Sequence, residues 1–183
     1  MLLEKQGLDY SDKVIDIIQY GSSVMESVEP NDIDIAVIYR SGTSLKEQLE
    51  ESQKIKGQLR DRKELDVKSF TIESLFEPSN FAREGIMLYG VSILNKRYFA
   101  RLFGLDPKIH VKYNLSQLEK KDKVRLNYFL SGKREREGIL KKSKGKILSP
   151  GLIEIPPEYE KVIVERLKTI TDNVDVKGIF NIL

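Results

Sequence analysis

The chain has 183 residues, enough for one large domain or two small ones with a real core. It carries no cysteine, which excludes disulfides, thiolate zinc sites and a cysteine nucleophile, and its one histidine, His110, excludes a histidine metal cluster. Net charge is +3, but residues 1–106 hold 14 Lys/Arg against 18 Asp/Glu, net −4, while residues 107–183 hold 17 against 10, net +7. That asymmetry points to two functional parts. No apolar run approaches the ~20 residues that span a bilayer. Met1–Asp9 lacks the basic start and apolar stretch of a secretion signal, so a cytoplasmic chain without membrane contact is expected.

In chain order, Val14–Gln19 is short, β-branched and bounded by Gly21-Ser22-Ser23, so it reads as a strand entering a turn. Ser22 or Ser23 can cap a short helical turn through Ser27, which Pro30-Asn31 then breaks. Asp32–Tyr39 follows as a strand. Thr43 or Ser44 opens a helix to about Arg62, with Leu45, Leu49, Ile55 and Leu59 as a broken apolar stripe. Glu64–Phe70 is a third strand, Ser74–Gly85 a helix around Pro78, Met87–Leu94 a fourth strand and Lys96–Phe103 a helix ending at Gly104. The Gly-Leu-Asp-Pro stretch that follows is the expected domain boundary, giving domains at 1–106 and 107–183. Beyond it come a strand (Ile109–Tyr113), a helix capped by Ser116 and reaching Leu130, and a basic segment, Lys133–Lys146. A strand (Leu152–Ile155), a helix after Pro156-Pro157 and a last strand near Val174–Phe180 complete the chain.

The informative stretch is N-D-I-D-I-A-V-I-Y. Side chains alternate along a strand, so Ile33, Ile35, Val37 and Tyr39 share one face and Asp32 and Asp34 the other. Two carboxylates about 6.5–7 Å apart along a strand repel each other, and a divalent cation removes that penalty. Mg²⁺ suits the pair because it takes oxygen ligands, keeps waters and shares itself with substrate phosphates. Gly21-Ser22 lies upstream, nine residues separating Ser22 from Asp32, where free backbone N–H groups at a strand-to-helix turn can hold a phosphate.

This pattern, Tyr20-Gly21-Ser22, a nine-residue spacer and Asp32-Ile33-Asp34-Ile35, resembles the DNA polymerase beta-like nucleotidyltransferase superfamily, and most of all its minimal nucleotidyltransferases. The likeness covers roughly Val14–Leu94. It implies an α+β fold, a small mixed sheet flanked by helices, here followed by a smaller α+β domain. It also implies a third carboxylate on a following strand, and Asp66 in Leu65-Asp66-Val67 fits. Asp32, Asp34 and Asp66 would then be the catalytic and metal-binding residues, with two Mg²⁺ ions, and Gly21, Ser22 and Ser23 would hold a nucleoside triphosphate, ATP being the expected one. Many relatives continue Gly-Ser with an arginine and a second glycine; Ser23–Ser27 supplies neither.

The activity implied is transfer of a nucleotidyl group to a hydroxyl of a protein, an RNA or a small molecule, in one version as a toxin–antitoxin partner. The alternative is a non-catalytic nucleotide- or RNA-binding module, or an antitoxin-type protein. No Walker-type phosphate loop is present, D-I-D-I-A-V-I-Y-R-S-G-T lacks the glycine and terminal glutamate of an EF-hand, and His110 reads as a structural or surface residue in an alternating strand. Lys133–Lys146 holds seven basic and two acidic residues and reads either as a solvated loop or as a footprint for RNA or an acidic protein. No feature specifies an oligomeric state.

Overall fold

In the computed structural model the described residues are 3, 7–59, 64–116, 118–134, 136–171 and 173–183. The chain is mixed α+β, with small sheets and six α-helices among those residues. It divides into two compact units. The first comprises Met1–Val24, Val28–Leu105 and Leu183, and the second Met25–Ser27 and Asp106–Ile182. Among the described residues no helix is long and apolar enough to cross a membrane.

The first unit is a four-stranded sheet between two layers of helix. Its elements are β1 (Val14–Tyr20), β2 (Asp32–Tyr39), α1 (Leu45–Gln58), β3 (Glu64–Thr71), α2 (Ile72–Phe76), α3 (Ala82–Tyr89) and β4 (Val91–Ser92), in strand order β3-β2-β1-β4. β1 runs antiparallel to β2 and β4, whereas β2 and β3 are parallel. Parallel neighbours need a crossover, and α1 supplies it. A bulge near Ile15 sets the faces of β1, so that Val14 and Ile17 share one side and Ile18 and Tyr20 the other.

Two cores result. Ile17, Ile33, Ile35, Val37, Tyr39 and Leu65 pack with Ile55 and Leu59 of the α1 side. Ile18, Tyr20, Ala36 and Ile38 pack with Leu75, Ile86, Met87 and Phe99 on the opposite side. Burial on both faces explains why β1 and β2 read as nearly unbroken apolar runs. Ser44 caps α1, accepting from the Glu47 N–H while the Glu47 carboxylate accepts from the Ser44 N–H.

Of the stripe expected on the first helix, Ile55 and Leu59 are buried and Leu45 and Leu49 are not. Gln48 and Ser52 turn inward with Ile55. The Tyr39 hydroxyl donates to the Gln48 carbonyl at 3.1 Å and lies 2.7 Å from Ser52 Oγ, which reaches Ser69 Oγ at 2.7 Å. These bonds let polar side chains occupy the core side. The expected end of this helix, Arg60–Arg62, lies outside the described residues.

The remaining expectations for this unit need correction in detail. Met87–Tyr89 are helical, because the apolar run closes α3 against the sheet, and only Val91–Ser92 pair as strand. Gly90 lies between them, where a Cβ would fall 2.2 Å from the Ile86 carbonyl oxygen. The helix expected over Ser74–Gly85 is two, α2 and α3, separated at Pro78. The one expected over Lys96–Phe103 is a 3₁₀ turn, Phe99–Phe103, ended by Gly104 at φ 72°.

The second unit contains β5 (Leu105–Tyr113), α4 (Lys120–Ser131), β6 (Gly132–Lys133), β7 (Arg136–Glu137), α5 (Ile139–Ser143), β8 (Lys146–Ser149), β9 (Leu152–Ile155), α6 (Glu160–Lys168) and β10 (Val174–Ile182). Its main sheet has the order β10-β5-β9-β8, and β6 and β7 form a separate hairpin. Ile109, Val111, Ile153 and Ile155 are fully buried, as are Ile163 and Leu167 of α6. Asp106 and Pro107, expected at a boundary, lie inside β5. α4 starts at Lys120 rather than at a Ser116 cap, since the Ser116 N–H and hydroxyl both bond to Asn114 Oδ1. The described residues of Lys133–Lys146 are not an open loop: β7, α5 and the ends of β6 and β8 fall within the segment. His110 has a structural partner, with Nε2 3.2 Å from Glu154 Oε2, and Lys146 meets the same carboxylate at 3.0 Å.

Candidate functional site

The face of β2 that carries Ala36 and Ile38 in the core becomes acidic toward its N-terminal end. Asp34 is half-buried and Asp32 exposed there. The crossover brings β3 alongside in strict parallel register, pairing Asp34 with Asp66 and Asp32 with Glu64. Adjacent strands lie about 4.8 Å apart, and register partners point to the same side. The expected third acid is therefore level with Asp34, on the same face.

On the other flank, antiparallel β1 pairs Tyr20 with Asp34, so Tyr20, Asp34 and Asp66 form a row across three strands. β1 ends at the 3₁₀ turn Gly21–Val24, which opens with Gly21 at φ 71°. A Cβ at Gly21 would sit 2.2 Å from Asp34 Oδ2. The Gly-Ser turn and the acidic strand thus meet directly, and only a residue without a side chain permits the approach.

Ser22 is exposed on that turn, whereas Ser23 is buried. The Ser23 hydroxyl donates to the Tyr20 carbonyl at 3.0 Å and accepts from Gln19 Nε2 at 3.1 Å. Its side chain holds the turn and does not face the acids' side as a free group. Glu26 is exposed, and its N–H donates to the Glu158 carbonyl at 2.8 Å.

Two residues on this face escaped the sequence reading. Lys68 stands two residues after Asp66, and its ammonium lies 3.1 Å from Asp66 Oδ2. Asp66 raises the Lys68 pKa most, through that bond, followed by Tyr20. Tyr20, counted only as an apolar lead into the glycine, is 7% exposed, and its hydroxyl has no hydrogen-bond partner among the described residues. Burial pushes the hydroxyl's pKa up; the nearby Lys68 ammonium opposes this, while the charges of Asp34 and Asp66 reinforce it. The period-2 argument that joined Asp32 to Asp34 also places Lys68 beside Asp66, and would have found it.

The Asp34 carboxyl is held above the usual carboxylate range, first by burial and then by the negative charge of Asp32; Lys68 counters and Asp66 adds to it. The acids' charge is thus only partly compensated, which a cation would relieve. Among the described residues no three acidic or imidazole groups form a ready-made metal cluster. A row of separate carboxylates nonetheless suits Mg²⁺, which typically takes one or two carboxylates and completes its shell with water and phosphate. The oxygen donors of Asp32, Asp34 and Asp66 fit that ion.

Comparison with known proteins finds no matching family model, no matching curated protein and no matching solved structure.

Proposed function

We propose that the first unit is a Mg²⁺-dependent nucleotidyltransferase, moving the α-phosphoryl group of a nucleoside triphosphate, with its nucleoside, onto an acceptor hydroxyl. The observation that carries this is the register of Asp34 with Asp66 beside Asp32, on one sheet face and against the Gly21 turn. In this reading Asp32 and Asp34 hold the cation that accompanies the nucleotide, and Asp66 completes the acidic row. When bound, Mg²⁺ supplies charge neutralisation at the transferring phosphate and at the leaving pyrophosphate.

The chain's own groups do the rest. The Gly21-Ser22 backbone and the exposed Ser22 hydroxyl offer donors to the triphosphate. Ser23 contributes through its backbone alone, because its hydroxyl is engaged in the turn. Asp66, half exposed beside Lys68, is the carboxylate suited to take the acceptor's proton. The acceptor oxygen bonds to the α-phosphorus as the bond to the β-phosphate oxygen breaks, and pyrophosphate departs. Positioning and electrostatics supply most of the acceleration in such transfers.

A second reading, a non-catalytic nucleotide-binding module, draws on the Lys68–Asp66 ion pair, which already neutralises the third acid. One assay separates them. The whole chain is incubated with Mg²⁺, cell extract and ATP labelled at the α- or at the γ-phosphate. Transfer of α-label but not γ-label is expected. Asp34→Asn should lower it on the order of 10²-fold or more, the scale of losing one electrostatic group at a transition state. Nucleotide binding without transfer establishes the module instead.

A further inference from the structure

The second unit holds a cavity of about 510 Å³ lined by residues of α4, the β6–β7 hairpin, α5 and α6. Five of its lining residues are cations: Arg125, Lys133, Arg136, Lys142 and Arg166. The single acid among its described lining residues, Glu137, is already bound at 2.6 Å by Lys141, which is not among them. Arg125 is paired at 3.3 Å with Asp122, but Arg136 and Arg166 have no carboxylate partner among the described residues. Among the described residues the five cations thus outnumber Glu137 and the Asp122 beside Arg125, and the lining is net positive.

The hairpin concentrates that charge. Lys133 and Arg136 are direct cross-strand partners, an arrangement in which like charges destabilise the pair. The backbone is built tightly around it. A Cβ at Gly132 would fall 2.2 Å from the Arg136 carbonyl oxygen, and one at Gly138 would fall 2.2 Å from the Leu130 carbonyl oxygen. Two glycines thus let the ends of the hairpin cross where no other residue fits, holding two repelling cations at the cavity's rim. An anion between them turns this repulsion into attraction.

The cavity also offers aromatic rings. Tyr128 is exposed and half-buried Phe129 adjoins it, with Lys133 Nζ 4.7 Å from the centre of the Tyr128 ring. Cations together with accessible rings match a polymer of phosphates and flat bases, since base–aromatic stacking and phosphate neutralisation act together in single-strand recognition. An acidic peptide answers the charge but not the rings. Base-paired nucleic acid answers the charge, with its bases already stacked on one another.

We propose that this cavity binds single-stranded nucleic acid, stacking a base on Tyr128 or Phe129 and placing flanking phosphates on Lys133, Arg136, Lys142 and Arg166. The inference is independent of the nucleotidyl-transfer reading and gives the second unit a ligand of its own.

Fluorescence anisotropy with the full chain tests it, using fluorescein-labelled single-stranded RNA of about ten nucleotides, the same sequence as DNA, the corresponding duplex and a polyglutamate peptide. The single strands should bind more tightly than duplex and peptide, and the RNA and DNA arms identify the preferred sugar. Neutralising about four phosphates predicts a slope of log affinity against log salt near −3. Arg136→Glu with Arg166→Glu should weaken binding about tenfold or more and flatten that slope. Tyr128→Ala should weaken it about tenfold and leave the slope unchanged. Circular-dichroism melting checks that each variant folds, and Lys142→Gln, on an exposed helical position, serves if the double variant does not. Equal binding of duplex or polyglutamate, or affinity indifferent to these substitutions, overturns the proposal.

Discussion

Gly21 answers to two constraints at once, a left-handed backbone at φ 71° and the Asp34 carboxylate where a Cβ would stand. Gly21→Ala should therefore cost about 1–3 kcal/mol in stability from backbone strain, and it should also displace Asp34, so thermal melting and cation binding fall together. Lys68 is expected to act on the same site in the other direction. Its ammonium shields Asp66, so Lys68→Ala should tighten Mn²⁺ binding in the absence of nucleotide, as measured by calorimetry; unchanged or weaker binding would mean that Lys68 positions the acids instead of competing for them. Asp16 offers a separate test by pH. It is fully buried and Oδ1 accepts from Ser92 Oγ at 2.7 Å, while Oδ2 has no hydrogen-bond partner among the described residues. Burial raises its pKa, opposed by the Ser92 bond and lesser contacts. The folded state then holds this proton more tightly than the unfolded chain does. The group's contribution is fully present below the unfolded carboxylate pKa and is lost as pH rises through the folded one. Asp16→Asn should remove that loss, raising the melting temperature near neutral pH relative to the native chain; an equal decline in both proteins from acid to neutral pH would contradict it.

Among the elements, β2 was legible down to the faces of single residues, because Asp32 and Asp34 alternate with Ile33 and Ile35, whereas the same alternation in β3 went unread. The acidic face needed no structure to be seen, but its neighbour did. Register between β2 and β3 is set by the crossover and by packing, and only the fold makes Asp66 level with Asp34. The first half of α1 was misread for a related reason: Gln48 and Ser52 are its buried residues there, held by the Thr43 carbonyl and the Tyr39 hydroxyl respectively. No pattern within the helix announces a hydrogen bond to a strand. Tyr39→Phe should leave Ser52 and the Gln48 carbonyl with one partner fewer and lower stability by about 1 kcal/mol, read from denaturant unfolding. Met87–Leu94 shows the limit of short apolar runs, which fit a buried strand or a helix end equally well. The β6–β7 hairpin was hidden by its composition, since a stretch so rich in lysine and arginine reads as solvated unless its two glycines are known to be crossing points.

For the whole molecule, the chain's opposed charges correspond to two different chemistries. The acidic excess of the first part includes a row of carboxylates on one sheet face, and the basic excess of the second includes the cavity rimmed by Lys133 and Arg136. Net charge alone suggested the division, but only the strand register and the hairpin show which residues gather. The measurement that bears most directly on the first of these chemistries is Mn²⁺ uptake by the full chain, followed by electron paramagnetic resonance with and without a non-hydrolysable triphosphate. Nucleotide-enhanced uptake, reduced about tenfold or more by Asp34→Asn and by Asp66→Asn, is the expected result. Absence of uptake even with the triphosphate present, or equal uptake by both variants, would show that the row of acids on β2 and β3 is not a cation site.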